Sequence, residues 1–250
     1  MSEGLKHICF DLDDTLYEQI APFRQALLTI QSVSNEQIRR IYKSFRIRSN
    51  ELFFRHQNKE ISFEAMQIGR IQLALKDHDI LIMDEEALKF QAAYQRGQYE
   101  ISLSDTLVEI LDYLKSRDVR ISLITNGPYE HQLKKIRSLG LGKWIEEKDM
   151  IISSAVGISK PDERIFHMVC ESGLYVGDSY ENDVIGAKKA GWDVIWLNKY
   201  GQQEADQKAD FTARDERELQ SLLHNFFDFD GSCMCQLTTF VNTYSFHQFL

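Results

Sequence analysis

Hydrophobic and polar positions along this chain follow two different periods. A short apolar run from His7 ends abruptly in carboxylates at Asp11, and four later segments share its grammar: Arg120 to Thr125, Met150 to Ser153, Gly173 to Asp178 and Asp193 to Leu197. Each fits a buried strand whose carboxyl end delivers polar groups to a surface crevice. Helical stripes lie before them, among them Leu107, Ile110, Leu111 and Leu114, then Leu133, Ile136 and Leu139, then Ile165, Phe166 and Val169. Strands alternating with helices predict an α/β fold, a doubly wound parallel sheet covered on both faces.

Between Tyr17 and about Glu100 the strand-like runs disappear and helical spacing takes over: Ile20, Phe23, Leu27; Ile38, Ile41, Phe45; Met66, Ile71, Leu75; Ala87, Phe90, Tyr94. The pattern predicts an all-helical insert over residues 17–100, inside an α/β core made of residues 1–16 and 101–230. Ser34, Ser62 and Asp84 are the expected helix starts, because each offers an acceptor to unpaired first-turn amides. Phe45, Phe53, Phe54 and Phe63 are expected to form the core of the insert. Residues 231–250 contain no Asp, Glu, Lys or Arg, and they are read as a peripheral strand or an ill-ordered tail.

Composition narrows the function. The 250 residues carry 29 Lys plus Arg against 38 Asp plus Glu, a formal net charge of -9 that opposes general attraction to nucleic acid or to an anionic membrane. No signal-like segment and no apolar stretch of membrane-spanning length is present, so the sequence reads as a cytoplasmic protein. Four scattered cysteines lack metal spacing, and no disulfide framework is expected. From Glu36 to Lys59 the charge reverses, with Arg39, Arg40, Lys43, Arg46 and Arg48 among the cations. A solvated helix face is the plainer reading of that reversal, and steering of anionic substrates is the other.

Candidate chemistry collects at the predicted strand ends. Asp11-Leu12-Asp13-Asp14-Thr15 places two carboxylates, two residues apart, on a turning backbone where they converge on one cation or one reacting atom. Taken alone, the plainer reading is an Asp-rich turn. Thr125-Asn126-Gly127 offers a hydroxyl and adjacent amides suited to phosphate oxygens. Lys160, in Ser159-Lys160-Pro161-Asp162, precedes a helix and brings an ammonium, with Pro161 expected in the first turn. Gly177-Asp178-Ser179, followed by Asn182-Asp183, ends the fourth strand with more carboxylates. Four such groups in this order, each at a strand's carboxyl end, are hard to ascribe to capping.

With these residues in place, the sequence resembles the haloacid dehalogenase-like hydrolase superfamily, whose four motifs look like DLDDT, ITNG, SKPD and GDSYEND here. The resemblance covers His7 to about Leu197. It implies a Rossmann-like core and a movable helical cap of the branch that includes phosphoglycolate phosphatase and pyrimidine nucleotidases. It also implies a Mg²⁺-dependent phosphatase of small phosphate monoesters, with Asp11 as nucleophile and Asp13 as acid and base. In the same reading Thr125, Asn126 and Lys160 hold phosphoryl oxygens. Asp11, Asp178 and the Asp13 carbonyl hold Mg²⁺, and Asp183 orients Lys160 or a metal-bound water. Dehalogenating members lack the second Asp, so Asp13 favours phosphoryl chemistry.

Two features depart from the family pattern. Asp162 to Ser172 reads as one helix with the next strand following almost at once, which puts the orientation of Asp178 in question, and the uncharged tail matches no family element. Tyr17 and Glu18 sit at the first hinge, within reach of substrate. The expected partner is a small phosphorylated metabolite, with no nucleic acid and no membrane, for a monomer or weak homodimer. A phosphotransferase or mutase, and a binding or regulatory protein without turnover, stay open as alternatives.

Overall fold

The computed structural model describes residues 7–204, 206 and 208–228. Two compact units emerge, one of residues 18–102 and one built from the segments on either side of them. The α/β unit contains a six-stranded, all-parallel sheet of β1 (His7–Phe10), β2 (Arg120–Thr125), β3 (Met150–Ile152), β4 (Leu174–Gly177), β5 (Asp193–Leu197) and β6 (Phe211–Ala213). Its order is β3-β2-β1-β4-β5-β6. The chain therefore fills one side of β1 and then returns to fill the other. In an open parallel sheet the crevice at the carboxyl ends of the strands where that reversal occurs is where ligands bind. Here it lies between β1 and β4, the strands that lead into Asp11 and Asp178.

Both β1 and β4 are buried along their whole length, which explains their unbroken apolar pattern. On one face Phe166, Tyr175 and Trp192 meet edge to face with ring centroids 5.1–6.5 Å apart. β6 was not predicted, since Phe-Thr-Ala is too short and too mixed to stand out. Ser153 begins a four-residue helix instead of ending β3. The helix expected over 162–172 is only Glu163–His167, opened by the Asp162 carboxylate, which accepts from the Arg164 amide at 3.0 Å. Pro161 thus precedes the cap residue and does not lie in the first turn. No helix among the described residues is long and apolar enough to cross a membrane.

The helical unit consists of α1 (Ile20–Leu28), α2 (Asn35–Gln57), α3 (Phe63–Lys76) and α4 (Asp84–Gly97). Ser34 and Ser62 cap α2 and α3, accepting from Gln37 and Ala65. Asp84 is the first helical residue, one position later than expected of a cap, and Met83 precedes it with its amide bonded to Glu86 at 3.0 Å. Phe23, Phe45, Phe90 and Tyr94 form the core of this unit. Phe53, Phe54 and Phe63 do not join it and are about half exposed or more. The buried stripe of α2 runs through Ile38, Ile41, Phe45 and Leu52, so residues 53 and 54 have already turned away. Several cations of the basic stretch pair at the surface, Arg40 with Glu36 and Arg48 with Glu51 and Asp77, as a solvated helix face does.

His7, at the start of β1, is buried and bonds Ser122 Oγ through Nε2 at 2.9 Å. Burial, helped by the charge of Arg120 and opposed by Asp149, lowers its pKa to about 4. The unfolded chain therefore takes up a proton near pH 6.5 that the folded chain refuses until about pH 4. Stability present above pH 6.5 is lost as pH falls through that window, by roughly 2 kcal/mol once solvent screening is allowed for. Urea melts of the protein and of His7→Gln should show this acid-side slope in the first and a flatter one in the second. Equal slopes would contradict it.

Candidate active site

The first strand ends where its backbone is still held by the sheet, the Asp11 amide donating to the Val176 carbonyl at 2.9 Å. The chain then turns through Asp14, whose φ of 62° lies in the left-handed region that Asp tolerates better than most side chains. This turn returns Thr15 to Asp11, and its hydroxyl donates to Asp11 Oδ2 at 3.3 Å. Asp11 itself is 6% exposed.

Lys160 reaches the same point from the loop after β3. Its Nζ donates to Asp11 Oδ1 at 2.5 Å, Asp183 Oδ1 at 2.7 Å, the Tyr175 hydroxyl at 2.9 Å and the Ile124 carbonyl at 3.1 Å. Burial alone would lower the Lys160 pKa, but the charges of Asp11 and Asp183 outweigh it and raise the pKa, so the ammonium persists.

Asp183 is 1% exposed and lies on a π-helical turn, Tyr180–Ile185, that follows β4. Its other oxygen accepts from the Ser179 amide at 2.9 Å. The carboxylate presses on the end of β4 so closely that a Cβ on Gly177 would lie 2.6 Å from the Asp183 Cβ. Glycine is required there by space. Gly177→Ala should displace Asp183 and lower stability by about 1–3 kcal/mol, as overpacking does. An unchanged urea midpoint would refute that reading.

Asp178 is brought into the group despite the short connection before β4. Carboxylate oxygens of Asp11, Asp178 and Asp183 lie within 4.8 Å of one another. Its backbone is anchored by the Trp196 indole, which donates to the Asp178 carbonyl at 2.8 Å. Its carboxylate has no hydrogen-bond or ion-pair partner among the described residues. Burial first, then Asp11 and Asp183, push the Asp178 pKa up. The Asp11 pKa is also raised, by burial and by Asp183 and Asp13, against the pull of Lys160. Three carboxylates thus face one ammonium, and the unpaired oxygens of Asp178 beside Asp11 are the donor set that a hard divalent cation prefers. The residues fit Mg²⁺.

Asp13 points into a separate set of partners. Its Oδ1 accepts from Lys135 Nζ at 2.6 Å and from the Tyr17 hydroxyl, and its Oδ2 accepts from Gln132 Nε2 at 2.8 Å. Burial would raise its pKa, but the charge and hydrogen bond of Lys135, with those of Tyr17 and Gln132, hold it below the usual carboxylate range.

Thr125 closes β2 and is 1% exposed, accepting from Gln132 Nε2 at 2.5 Å. Asn126, the next residue, turns its side chain to the loop of Lys160. Its amide bridges the backbone of Lys160, donating to the carbonyl at 2.9 Å and accepting from the amide nitrogen at 3.0 Å. It ties the loop of Lys160 to the end of β2. The Gly127 amide is engaged as well, donating to Ser153 Oγ at 3.0 Å.

Four partners of the site escaped the sequence reading. Tyr175 looked like one more apolar strand residue. Thr15 stands in the sequence only as the last residue of its motif. The stripe Leu133, Ile136 and Leu139 predicts a different buried face for α5 (Tyr129–Ser138) and leaves Gln132 and Lys135 outside it. The buried face is Gln132, Lys135, Ile136 and Leu139, an i, i+3, i+4, i+7 register half occupied by polar groups. That register was the available signal.

Comparison with known proteins agrees with this geometry. The model of the haloacid dehalogenase-like hydrolases matches residues 5–191. The chain is 25% identical over 228 residues to the pyrimidine 5'-nucleotidase YjjG of Escherichia coli, covering 86% of this chain and 96% of that one. It is 26% identical over 213 residues to a glyceraldehyde 3-phosphate phosphatase of Methanothermobacter thermautotrophicus, covering 78% and 86%. Among solved structures, the putative hydrolase YfnB of Bacillus subtilis, bound to magnesium, superposes with a TM-score of 0.63 at 22% identity, covering 88% of this chain and 99% of that one. With four motif residues gathered at the switch point and a family match over most of its length, this chain belongs to the haloacid dehalogenase-like hydrolases and is a hydrolase enzyme.

Proposed function

We propose that the protein hydrolyses small phosphate monoesters, of the nucleotide or sugar phosphate kind, through a phospho-aspartate on Asp11. The observation that carries this reading is the Asp11 carboxylate held at the switch point by Lys160 and Thr15, with Asp178 and Asp183 beside it. Nucleotidase and sugar-phosphate phosphatase relatives support the substrate class. An Asp11 oxygen attacks phosphorus, the bond from phosphorus to the leaving oxygen breaks, and protonated Asp13 gives that oxygen its proton. Water then attacks phosphorus of the acyl phosphate, Asp13 takes the proton, and inorganic phosphate leaves with Asp11 restored. The ionised Asp13 favoured by Lys135 and Gln132 is the form this second step needs.

Lys160 offsets charge on the transferring group, and the Thr125 hydroxyl holds one of its oxygens. Asp11, Asp178 and the Asp13 carbonyl would hold Mg²⁺, which, when bound, relieves repulsion between the nucleophile and the anionic substrate. Asp183 fixes Lys160.

The test is a panel of nucleoside monophosphates, sugar phosphates and phosphoserine, assayed for phosphate release with Mg²⁺ and with EDTA. Release that requires Mg²⁺ is expected. A panel that stays inert with Mg²⁺ would overturn the reading and favour a binding protein.

A further inference from the structure

The amide of Gln132 stands between the two halves of the candidate chemistry. Its Nε2 lies 2.8 Å from Asp13 Oδ2, 2.5 Å from Thr125 Oγ1 and 3.2 Å from the Asn126 carbonyl. The Asp13 carboxylate, already accepting from Lys135, and the Asn126 carbonyl are both acceptors. The group facing them must therefore be the donating end of the amide, which fixes its orientation. Thr125 Oγ1 shares that nitrogen, so it accepts from Gln132 and its own O–H is left to donate elsewhere. A donor of fixed direction is what an anionic phosphoryl oxygen requires and what a freely rotating hydroxyl does not supply.

Room for this arrangement is built in. Gly127 has a φ of 147°, and a Cβ there would lie 3.1 Å from Gln132 Cγ and Cδ. Lys135, one turn along α5, takes the other oxygen of Asp13 at 2.6 Å and lies 5.8 Å from the centre of the Tyr17 ring. Gln132 is 1% exposed and Lys135 is 6% exposed. A buried lysine and a buried glutamine in one helical register are costly to desolvate, and both are satisfied by Asp13.

We infer that Gln132 and Lys135 are the positioning pair of this site. Together they hold the Asp13 carboxylate in one rotamer as the base toward the water that attacks the phosphoenzyme, and Gln132 alone also sets the Thr125 hydroxyl as a donor to the phosphoryl group. The inference rests on the phosphatase reading above. It concerns residues that do not themselves touch the reacting atoms.

The two halves of the reaction separate this role from a merely structural one. Phosphoenzyme formation from 2,4-dinitrophenyl phosphate needs no proton at the leaving oxygen, whereas its breakdown needs a base for the attacking water. In single-turnover measurements with this substrate and Mg²⁺, Lys135→Met should slow phosphoenzyme breakdown about 100-fold and formation less than about 3-fold. Lys135→Arg should restore most of the difference. Gln132→Met should show the same difference between the two steps and, in addition, raise the inhibition constant of inorganic phosphate about 10-fold, which Lys135→Met should not.

Both the ratio of the two rates and the inhibition constant are independent of how much variant protein is folded. Should Lys135→Met not accumulate in folded form, Lys135→Gln carries the same test with a smaller shift. Equal slowing of the two steps, or an unchanged inhibition constant in Gln132→Met, would overturn the inference. Failure of the wild-type protein to turn over the substrate would instead strike the phosphatase reading.

Discussion

Asp11→Asn is expected to reduce phosphate release by about 10,000-fold or more while leaving the fold intact, because it removes the nucleophile, which is also a Mg²⁺ ligand in this account, and keeps the side-chain shape. The Asn side-chain oxygen can still accept from the Thr15 hydroxyl, now 3.3 Å from Asp11 Oδ2. Lys160 keeps Asp183, Tyr175 and the Ile124 carbonyl. The Asp11 amide goes on donating to Val176 within the sheet. The loss should therefore appear in kcat, with circular dichroism and the urea midpoint close to those of the wild-type protein. A variant that retains a tenth of the activity would mean that another group attacks phosphorus.

The largest effect on stability should come from Lys160→Met. Lys160 is 4% exposed and is the ammonium bonded to both Asp11 and Asp183. Removing it strands those carboxylates with Asp178 beside them, and breaking a buried pair on one side typically costs about 3–5 kcal/mol. Tyr175 would remain as a donor to Asp183 at 3.2 Å, too little to offset a lost charge. Urea unfolding in metal-free buffer should show the full loss. Adding Asp183→Asn to the same chain should recover a good part of it by removing one of the stranded charges. A Lys160→Met protein as stable as wild type, or a double variant less stable than the single, would contradict this picture of the site.

The sheet was readable from sequence because parallel strands buried on both faces leave unbroken apolar runs, as in Ile8 to Phe10 and Leu174 to Val176. β6 escaped because an edge strand of three residues leaves no such run. The motif carboxylates were readable because Asp11 and Asp178 stand where an apolar strand stops. Their supports were not. Tyr175 spends its ring on Phe166 and Trp192 and only its hydroxyl on Lys160, so the sequence shows an ordinary core aromatic. Gln132 and Lys135 look like polar helix surface in the sequence, and only the packing of α5 shows which face is buried. The side-chain amide of Asn126 matches both backbone groups of Lys160, a relation across 34 residues that no local pattern displays. Phe53 and Phe54 failed for the converse reason, since aromatic character indicated burial while helix phase decided exposure.

The central claim is that Asp11 carries the phosphoryl group. Rapid acid quench of the protein with Mg²⁺ and a phosphate monoester labelled with radioactive phosphorus tests it most directly. The expected result is a hydroxylamine-labile label that forms and decays within a turnover, maps to the peptide containing Asp11 and is absent from Asp11→Asn. Turnover with the label on any other residue, or label formation undiminished in Asp11→Asn, would contradict it.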